Sequence, residues 1–441
     1  MLVLAGIAAL VRLILILAYS PVQTNDTASY LDLAHRLASW HLQGSPGART
    51  PGYPALLILV GYSPTAIWCV QAALGVAATL LLYHLLRILG GTPGLALVVG
   101  LLYVLDLEVL AVEHFVLTET VAGFLIVAAS TIAVRMTQDP ARRSRSPWLL
   151  GLILACLCIV RPDTLALAIY LATGVGLIAG GRSTFTLARV ARLTGAALIP
   201  AVLILAGWAE VNRATIGVTT VSTVLGHDLI DHVAPYVRVQ PGANYAITAP
   251  YVAARREREA HRLDLTNLSI SAQPAIERAT HLDAVHLSGR LLSIAVGVIV
   301  QHPIQYVASS LKQWPRFFIA PNYPYSFNGG TGASFIHALW KLQRAIRLLI
   351  SICFVVLCAT ALVGVIRRRY GVLSAPAALL AGAVGVGLLV ATFLAYGETG
   401  RYGYVYYPLV LVVSAVSLQR LVPIAQSRWR RARQRTHASR A

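Results

Sequence analysis

Residues 23–30, Gln-Thr-Asn-Asp-Thr-Ala-Ser-Tyr, follow an apolar run from Leu2 to Tyr19 and place a carboxylate, Asp26, where a membrane-length segment gives way to polar chain. A carboxylate at that depth costs free energy unless it is solvated or paired, and acidic groups kept there more often than not serve function. The plainer reading is a cap for the helix that follows, and the two are compatible. A second acidic set lies in DLEVLAVEHFVLTETVAGFL, residues 106–125, where Asp106, Glu108, Glu113 and Glu119 gather at the adjoining ends of two apolar runs. Glu119 already lies inside the second run, which makes it the best candidate for an acid-pair role. Cations come from IVRPDTLAL (Arg161), ETGRYGYVYYPL (Arg401) and ARTPGYPALL (Arg49). A guanidinium binds phosphate through two parallel hydrogen bonds, so the chemistry in view is proton transfer at a carboxylate beside a held phosphate. The bland alternative is a set of structural pairs, Arg161 with Asp163 and Arg401 with Glu398.

The elements that must position these groups follow from composition. Of 441 residues, 57% are hydrophobic and 12% charged, against roughly 25% charged in water-soluble domains. The chain is therefore a multi-spanning membrane protein. Its apolar runs are continuous and rich in Leu, Ala and Val, which selects helices over a barrel of alternating strands. At about 20 residues per span, ten helices are expected near 2–20, 65–89, 93–111, 116–135, 148–162, 164–181, 193–211, 342–366, 372–396 and 404–422. The fifth and sixth are short enough for a partly re-entrant hairpin.

The net charge of +19 invites a nucleic-acid partner, but the arginines sit in clusters beside apolar runs: Arg142, Arg143 and Arg145; Arg182, Arg189 and Arg192; Arg367, Arg368 and Arg369; and the tail. Cytoplasmic loops carry that bias, and no nucleic-acid module is recognisable. With the amino terminus inside, every cluster falls inside, whereas Arg161 and Arg401 fall outside against the trend.

A membrane domain over 1–422 thus carries two outer segments, 21–64 and 212–341, with a basic cytoplasmic tail at 423–441. In the first, Tyr30, Leu33, Leu37 and Trp40 recur at helical spacing, as in a helix lying in the interface plane. The prolines of ARTPGYPALL are expected to forbid a regular helix and to form a rigid platform presenting Arg49 and Tyr53 towards Asp26. The second segment reads as a small cap of interfacial helices and loops, with LLSIAVGVIVQHPIQYV interrupted at Pro303.

Other features carry less. In GHDLIDHV, His227 with Asp231 and Asp228 with His232 share i,i+4 spacing, but no Glu follows the first His, and a polar surface turn outweighs a metal site. Cys69, Cys156, Cys158, Cys353 and Cys358 all lie in apolar stretches and imply no disulfide framework. Arg12, inside the first span, either snorkels or faces the bundle interior. Only Lys312 and Lys341 accompany the many arginines, a composition typical of a GC-rich bacterial genome.

In order along the chain, NDTASYLDLAHRL, RTPGYPALL, VLTETVAGFL, VRPDTLAL, HPIQYV and ETGRYGYVYYPL resemble the polytopic glycosyltransferases of the GT-C fold, in particular bacterial relatives of protein O-mannosyltransferases and of the lipid A aminoarabinose transferase. A lone Asp beside Asn25 stands where the mannosyltransferases show an Asp-Glu pair. The resemblance implies a GT-C-like all-α fold, a polyprenyl-phosphate-linked hexose or pentose as donor, inversion at the anomeric carbon, and Asp26 as catalytic base with Glu119 beside it. Arg401, Arg161 and Arg49 would hold the donor phosphate, and Tyr53, Tyr30, Asp106, Glu108, His114, Glu398 and Tyr402 would line the substrate site. A divalent ion could share the phosphate's charge, although no ligand set compels one. The expected partners are a lipid, glycan or protein acceptor and membrane lipids, without nucleic acid, at the outer face of a bacterial plasma membrane. Two other functions fit many spans and outer arginines: a surface-polysaccharide polymerase or ligase, and a lipid or solute transporter, whose paired broken segments are not found.

Overall fold

The computed structural model describes residues 1–138, 146–180, 186–319, 327, 333–366, 373–397 and 399–438. Arg142, Arg143, Arg145, Arg182, Arg367, Arg368, Arg369 and Glu398, all used in reading the sequence, lie outside the described residues. The helices, in chain order, are α1 (Leu2–Ala18), α2 (Asn25–Ala38), α3 (Gly52–Leu59), α4 (Pro64–Ile88), α5 (Pro93–Val104), α6 (Leu107–His114), α7 (Glu119–Gln138), α8 (Ser146–Val160), α9 (Leu165–Gly180) and α10 (Leu187–Ile216). They continue with α11 (Val224–His232), α12 (Tyr245–Ala260), α13 (Leu268–Thr280), α14 (Ala284–Gln301), α15 (Pro303–Leu311), α16 (Trp314–Phe318), α17 (Ala333–Ile366), α18 (Ala375–Leu394) and α19 (Thr399–Ala438). Among the described residues the fold is all-α, with one isolated parallel bridge between Val22 and Phe115.

Helix starts are written in the sequence as Ser or Thr followed by Pro. Ser63, Thr92 and Ser374 each accept a bond from a backbone N–H of the first turn, and Pro64, Pro93 and Pro376 occupy positions where no N–H is needed. Among the described residues eight helices are long and apolar enough to cross a membrane, and α5 with α6 makes a further candidate bent by 50°. One of the eight is α14, which the sequence placed in the cap. Its Leu287, Leu291, Ile294 and Val298 are buried with residues of α11, α12 and α13, so its apolar face is covered by the cap. The other seven, the bent pair and the two shorter apolar helices, α1 and α8, are the ten segments read from the sequence. The bent pair α5–α6 is a broken span or a re-entrant loop. Asp106 causes the break, because its side chain leaves the helix to accept from the N–H groups of Glu108 and Val109 and so starts α6 afresh.

The main core joins α4, α5, α7, α8, α9, α10, α18 and α19, with α10 laid along α8 and α9, α4 along α7, and α18 along α19. Leu2, Leu13 and Leu17 of α1 and Leu349, Val356 and Leu362 of α17 point away from it, as lipid-facing side chains do. Two further readings change. Pro54 lies in the first turn of α3, where proline is tolerated, so the Pro-Gly-Tyr-Pro stretch opens a short helix. The helix α19 also runs on through the expected tail to Ala438, over a stretch rich in Arg, Gln and Ala, which favour helix.

Candidate active site

The site is assembled by a short zipper between two loops. Val22 N–H donates to the carbonyl of His114 and Val116 N–H to the carbonyl of Val22, each at 3.0 Å, and the Thr27 hydroxyl donates to the Val116 carbonyl at 3.1 Å. This stitches the start of α2 to the start of α7. Thr24, not Asp26, caps α2, forming a reciprocal capping box with Thr27. Asp26 is thereby left in the first turn, where the helix N-terminus favours negative charge, with its side chain available for other partners.

Those partners are arginines from distant segments. Arg49 donates from NH2 to Asp26 Oδ1 at 2.7 Å, and Arg401, in the first turn of α19, donates from NH1 to Asp26 Oδ2 at 3.0 Å. Arg401 also donates from Nε and NH2 to Glu119 Oε1 at 2.9 and 2.6 Å. Glu119 is 1% exposed. Arg161, between α8 and the turn at Pro162–Thr164, lies 3.3 Å from the same Oε1 through NH1, but NH1 is not aligned to donate and is buried without a hydrogen-bond partner, as is Glu119 Oε2. Arg161 also pairs through Nε with Asp163 at 3.4 Å and stacks its guanidinium 4.8 Å above the Tyr402 ring. Three carboxylates and three guanidiniums therefore form one chain of ion pairs: Arg49, Asp26, Arg401, Glu119, Arg161, Asp163. Burial pushes the Asp26 carboxyl up, but the guanidiniums of Arg49 and Arg401 outweigh it and hold the group below the ordinary carboxylate range.

Each arm of the chain is set by local structure. Arg49 is fixed by Ser29 Oγ at 2.8 Å and the Tyr30 hydroxyl at 3.3 Å, with its guanidinium 4.5 Å above the Tyr30 ring. Its loop can approach the C-terminal end of α8 because residue 52 is glycine: a Cβ there would stand 2.6 Å from the Ile159 carbonyl oxygen. Tyr53 does not face Asp26. It is buried, its ring meets Tyr30 edge-on, and its hydroxyl donates to Gln71 Oε1 at 2.9 Å.

The family model described as "Dolichyl-phosphate-mannose-protein mannosyltransferase" matches residues 63–222. That match and the helical, polytopic architecture point the same way. The chain fits a GT-C membrane glycosyltransferase. The matched region runs from the start of α4 into the cap and includes Glu119 and Arg161, whereas Asp26, Arg49 and Arg401 lie outside it. No curated protein and no solved structure matches the chain.

In this glycosyltransferase the other acidic residues of 106–125 do not join Glu119, because each buried carboxylate is taken by a nearer partner. Glu113 receives Arg12 Nε and NH2 at 2.8 and 2.6 Å, both residues being almost fully buried. Arg12 therefore faces the interior and does not snorkel. The pair fits only because residue 75 is glycine, since a Cβ there would collide with Glu113 Oε1. Asp106 caps α6 and faces Arg347 at 3.8 Å, and Glu108 accepts from Trp340 Nε1 at 3.1 Å, both on α17. His114 bonds the Ser20 carbonyl and stacks on Phe327 with ring centroids 5.3 Å apart. Asp106 and Glu108 thus meet α17, and His114 meets the Ser20 carbonyl and Phe327. Sequence reasoning passed over Ser29, which carries no local signal, and Arg347, which its position inside an apolar span could have flagged.

In the cap, Asp231 accepts from Tyr251 Oη at 3.0 Å and from Ser269 N and Oγ at 2.8 and 3.0 Å, while His232 bonds Ser310 Oγ at 2.7 Å. These bonds tie α11 to its neighbours, so GHDLIDHV is a buried hub and not a surface turn. Among the described residues no group of three or more His, Cys, Asp or Glu is disposed to hold a metal ion.

Proposed function

We propose that the chain transfers a sugar from a polyprenyl-phosphate donor to a hydroxyl-bearing acceptor at the outer face of a bacterial plasma membrane, with inversion and with Asp26 as general base. The observation that carries this reading is the convergence of Asp26, Glu119, Arg49, Arg161 and Arg401, from five separate segments, into one ion-pair chain where α7 and α19 begin and α8 ends. The helices flanking it also suit a lipid-borne substrate. At 17 and 15 residues, α1 and α8 are about 26 and 22 Å long at 1.5 Å per residue. Both fall short of the roughly 30 Å hydrocarbon layer. Groups at their outer ends lie near the headgroup boundary, the level of a phosphate whose isoprenoid tail is in lipid. The matched family's description names a dolichyl-phosphate-mannose donor, so mannose is the first sugar to try.

The chemistry follows from the charges. The acceptor oxygen attacks the anomeric carbon as the bond from that carbon to the phosphate oxygen breaks, and its electron pair stays with the phosphate. The hydroxyl proton passes to Asp26, within hydrogen-bond reach in the complex. The phosphodiester becomes a monoester and gains one negative charge, which guanidiniums fixed in a water-poor site stabilise most strongly. Arg401 and the unpartnered NH1 of Arg161 are the donors for that charge, and Glu119 keeps both in position. Purified protein carrying Asp26→Asn should fold yet transfer no label from polyprenyl-phosphate-mannose; transfer at the wild-type rate would remove Asp26 from this role.

A further inference from the structure

We propose that Arg49 is a latch on the base, which the donor's phosphate opens: in the resting site Arg49 occupies Asp26 Oδ1, and on donor binding its NH2 leaves that oxygen for the phosphate. The inference rests on the reading of Asp26 as base and adds an order to it, donor before acceptor activation.

Both oxygens of Asp26 are engaged by cations, Oδ1 by Arg49 and Oδ2 by Arg401. Charge-assisted bonds of this kind are roughly twice as strong as neutral ones. A carboxylate so held is a weak proton acceptor, and the two guanidiniums keep it below its ordinary range despite burial. Each oxygen keeps a second lone pair, but release of one guanidinium would make Asp26 the stronger proton acceptor.

The two arginines are not equally free to let go. Arg401 is anchored by two bonds to Glu119, a carboxylate buried to 1% exposure. Among the described residues Arg49 has only neutral partners besides Asp26, namely Ser29 Oγ and the Tyr30 hydroxyl, and it sits on the connection between α2 and α3 with 23% of its side chain exposed. Each of its three nitrogens donates once, so NH1 and NH2 each keep a second N–H with no acceptor among the described residues. Those two N–H groups can donate to the non-bridging oxygens of a phosphodiester.

When Arg49 moves across, Oδ1 is uncovered for the acceptor hydroxyl, while Arg401 on Oδ2 keeps the carboxylate oriented. No covalent bond changes in this step. The device would keep Asp26 from activating water or acceptor until a donor is seated. The charged and titratable groups facing Asp26 are Arg49, Arg401, Glu119, Arg161 and Tyr30; of these, Arg49 alone comes from the connection between α2 and α3.

The test is an isotope-edited infrared titration of Asp26 in full-length protein in nanodiscs. The spectrum of Asp26→Asn is subtracted to isolate the group, with and without a saturating polyprenyl phosphate. The phosphate's own charge raises the Asp26 midpoint in any model, so Arg49→Gln separates the two effects. Under the latch, Arg49→Gln raises the midpoint of the unliganded protein by about one pH unit or more, the range for loss of one adjacent opposite charge. It also shrinks the phosphate-induced rise to less than about half that of the wild type, a non-additivity that independent effects do not show. Arg49→Lys, which keeps a cation for the phosphate, should bind polyprenyl phosphate more tightly than Arg49→Gln. An equal phosphate-induced rise in wild type and Arg49→Gln, or equal phosphate binding by all three proteins, overturns the latch and leaves Asp26 as base intact. Undiminished transfer by Asp26→Asn, by contrast, overturns the underlying reading.

Discussion

Replacing Glu119 with Gln keeps the side chain's size and removes one negative charge from the middle of the ion-pair chain. Three carboxylates and three guanidiniums are present, so the variant cluster carries an excess positive charge. Two guanidiniums then lie near one another without the anion that separated them. Removing one partner of a buried ion pair costs about 3–5 kcal/mol. Arg161 is 9% and Arg401 17% exposed at the side chain, and the more exposed Arg401 can turn partly towards water. The lower end, about 3 kcal/mol, is the expected loss of stability. The effect on catalysis separates binding from turnover. The added positive charge should hold or tighten the anionic donor, leaving KM unchanged or lower. Arg401 meanwhile loses its two bonds to Glu119 and is no longer aimed. Loss of one aligned donor to a developing oxyanion costs about 100- to 1,000-fold in kcat. The assay is transfer of labelled mannose from a polyprenyl-phosphate donor by protein in nanodiscs, with donor titrated, alongside thermal unfolding. The double variant Glu119→Gln/Arg401→Gln should be less impaired than the product of the two single effects, because each removes the same contact. Unchanged kcat and unfolding temperature in Glu119→Gln, or strict additivity in the double variant, would refute the assignment of Glu119 as the residue that positions Arg401.

Three other outcomes follow from the same geometry. Arg12→Met leaves Glu113 buried and unpaired and should destabilise by about 3–5 kcal/mol, while Arg12→Met with Glu113→Met should recover most of it, read by thermal unfolding in detergent. Gly52→Ala sets a Cβ against the Ile159 carbonyl, so the Arg49 loop should retreat from the end of α8; transfer should fall more than stability, and an unchanged rate would show that the loop's placement does not matter. Asp231 in the cap is buried with no ion-pair partner among the described residues, and burial pushes its carboxyl up to about 7. A pKa raised on folding means stability that is complete below the ordinary carboxylate range and lost as pH rises through about 7. Protection from hydrogen exchange in α11 and α13, taken relative to the intrinsic amide rate, should therefore fall between pH 6 and pH 8, and Asp231→Asn should abolish that fall.

The sequence by itself determined the solvent, and with it the architecture. A chain with so few charges and long runs of Leu, Ala and Val must bury its backbone polar groups in helices, and ten runs of the right length mark where they lie. Ser-Pro and Thr-Pro junctions set several helix starts, since the reason for each is local. The site residues could be nominated for the same kind of reason: Asp26, Glu119, Arg161 and Arg401 are charges at the edges of apolar runs, where charge is costly. What they touch was not legible. Glu113 and Glu119 are six residues apart and look alike in sequence, yet one is held by Arg12 within the bundle and the other by Arg401 at its edge. Asp106 and Glu108 stand in the same stretch and turn instead to α17. Which cation reaches which carboxylate depends on how α1, α7, α17 and α19 pack, and that is fixed by contacts between segments far apart in the chain. Two small features decide the site: the pairing of Val22 with residues 114–116, and the glycines that let Arg49 and Glu113 come close. Neither has a signature in one sequence, because a backbone hydrogen bond is indifferent to side-chain type and a glycine among 34 gives no sign of which neighbour it admits.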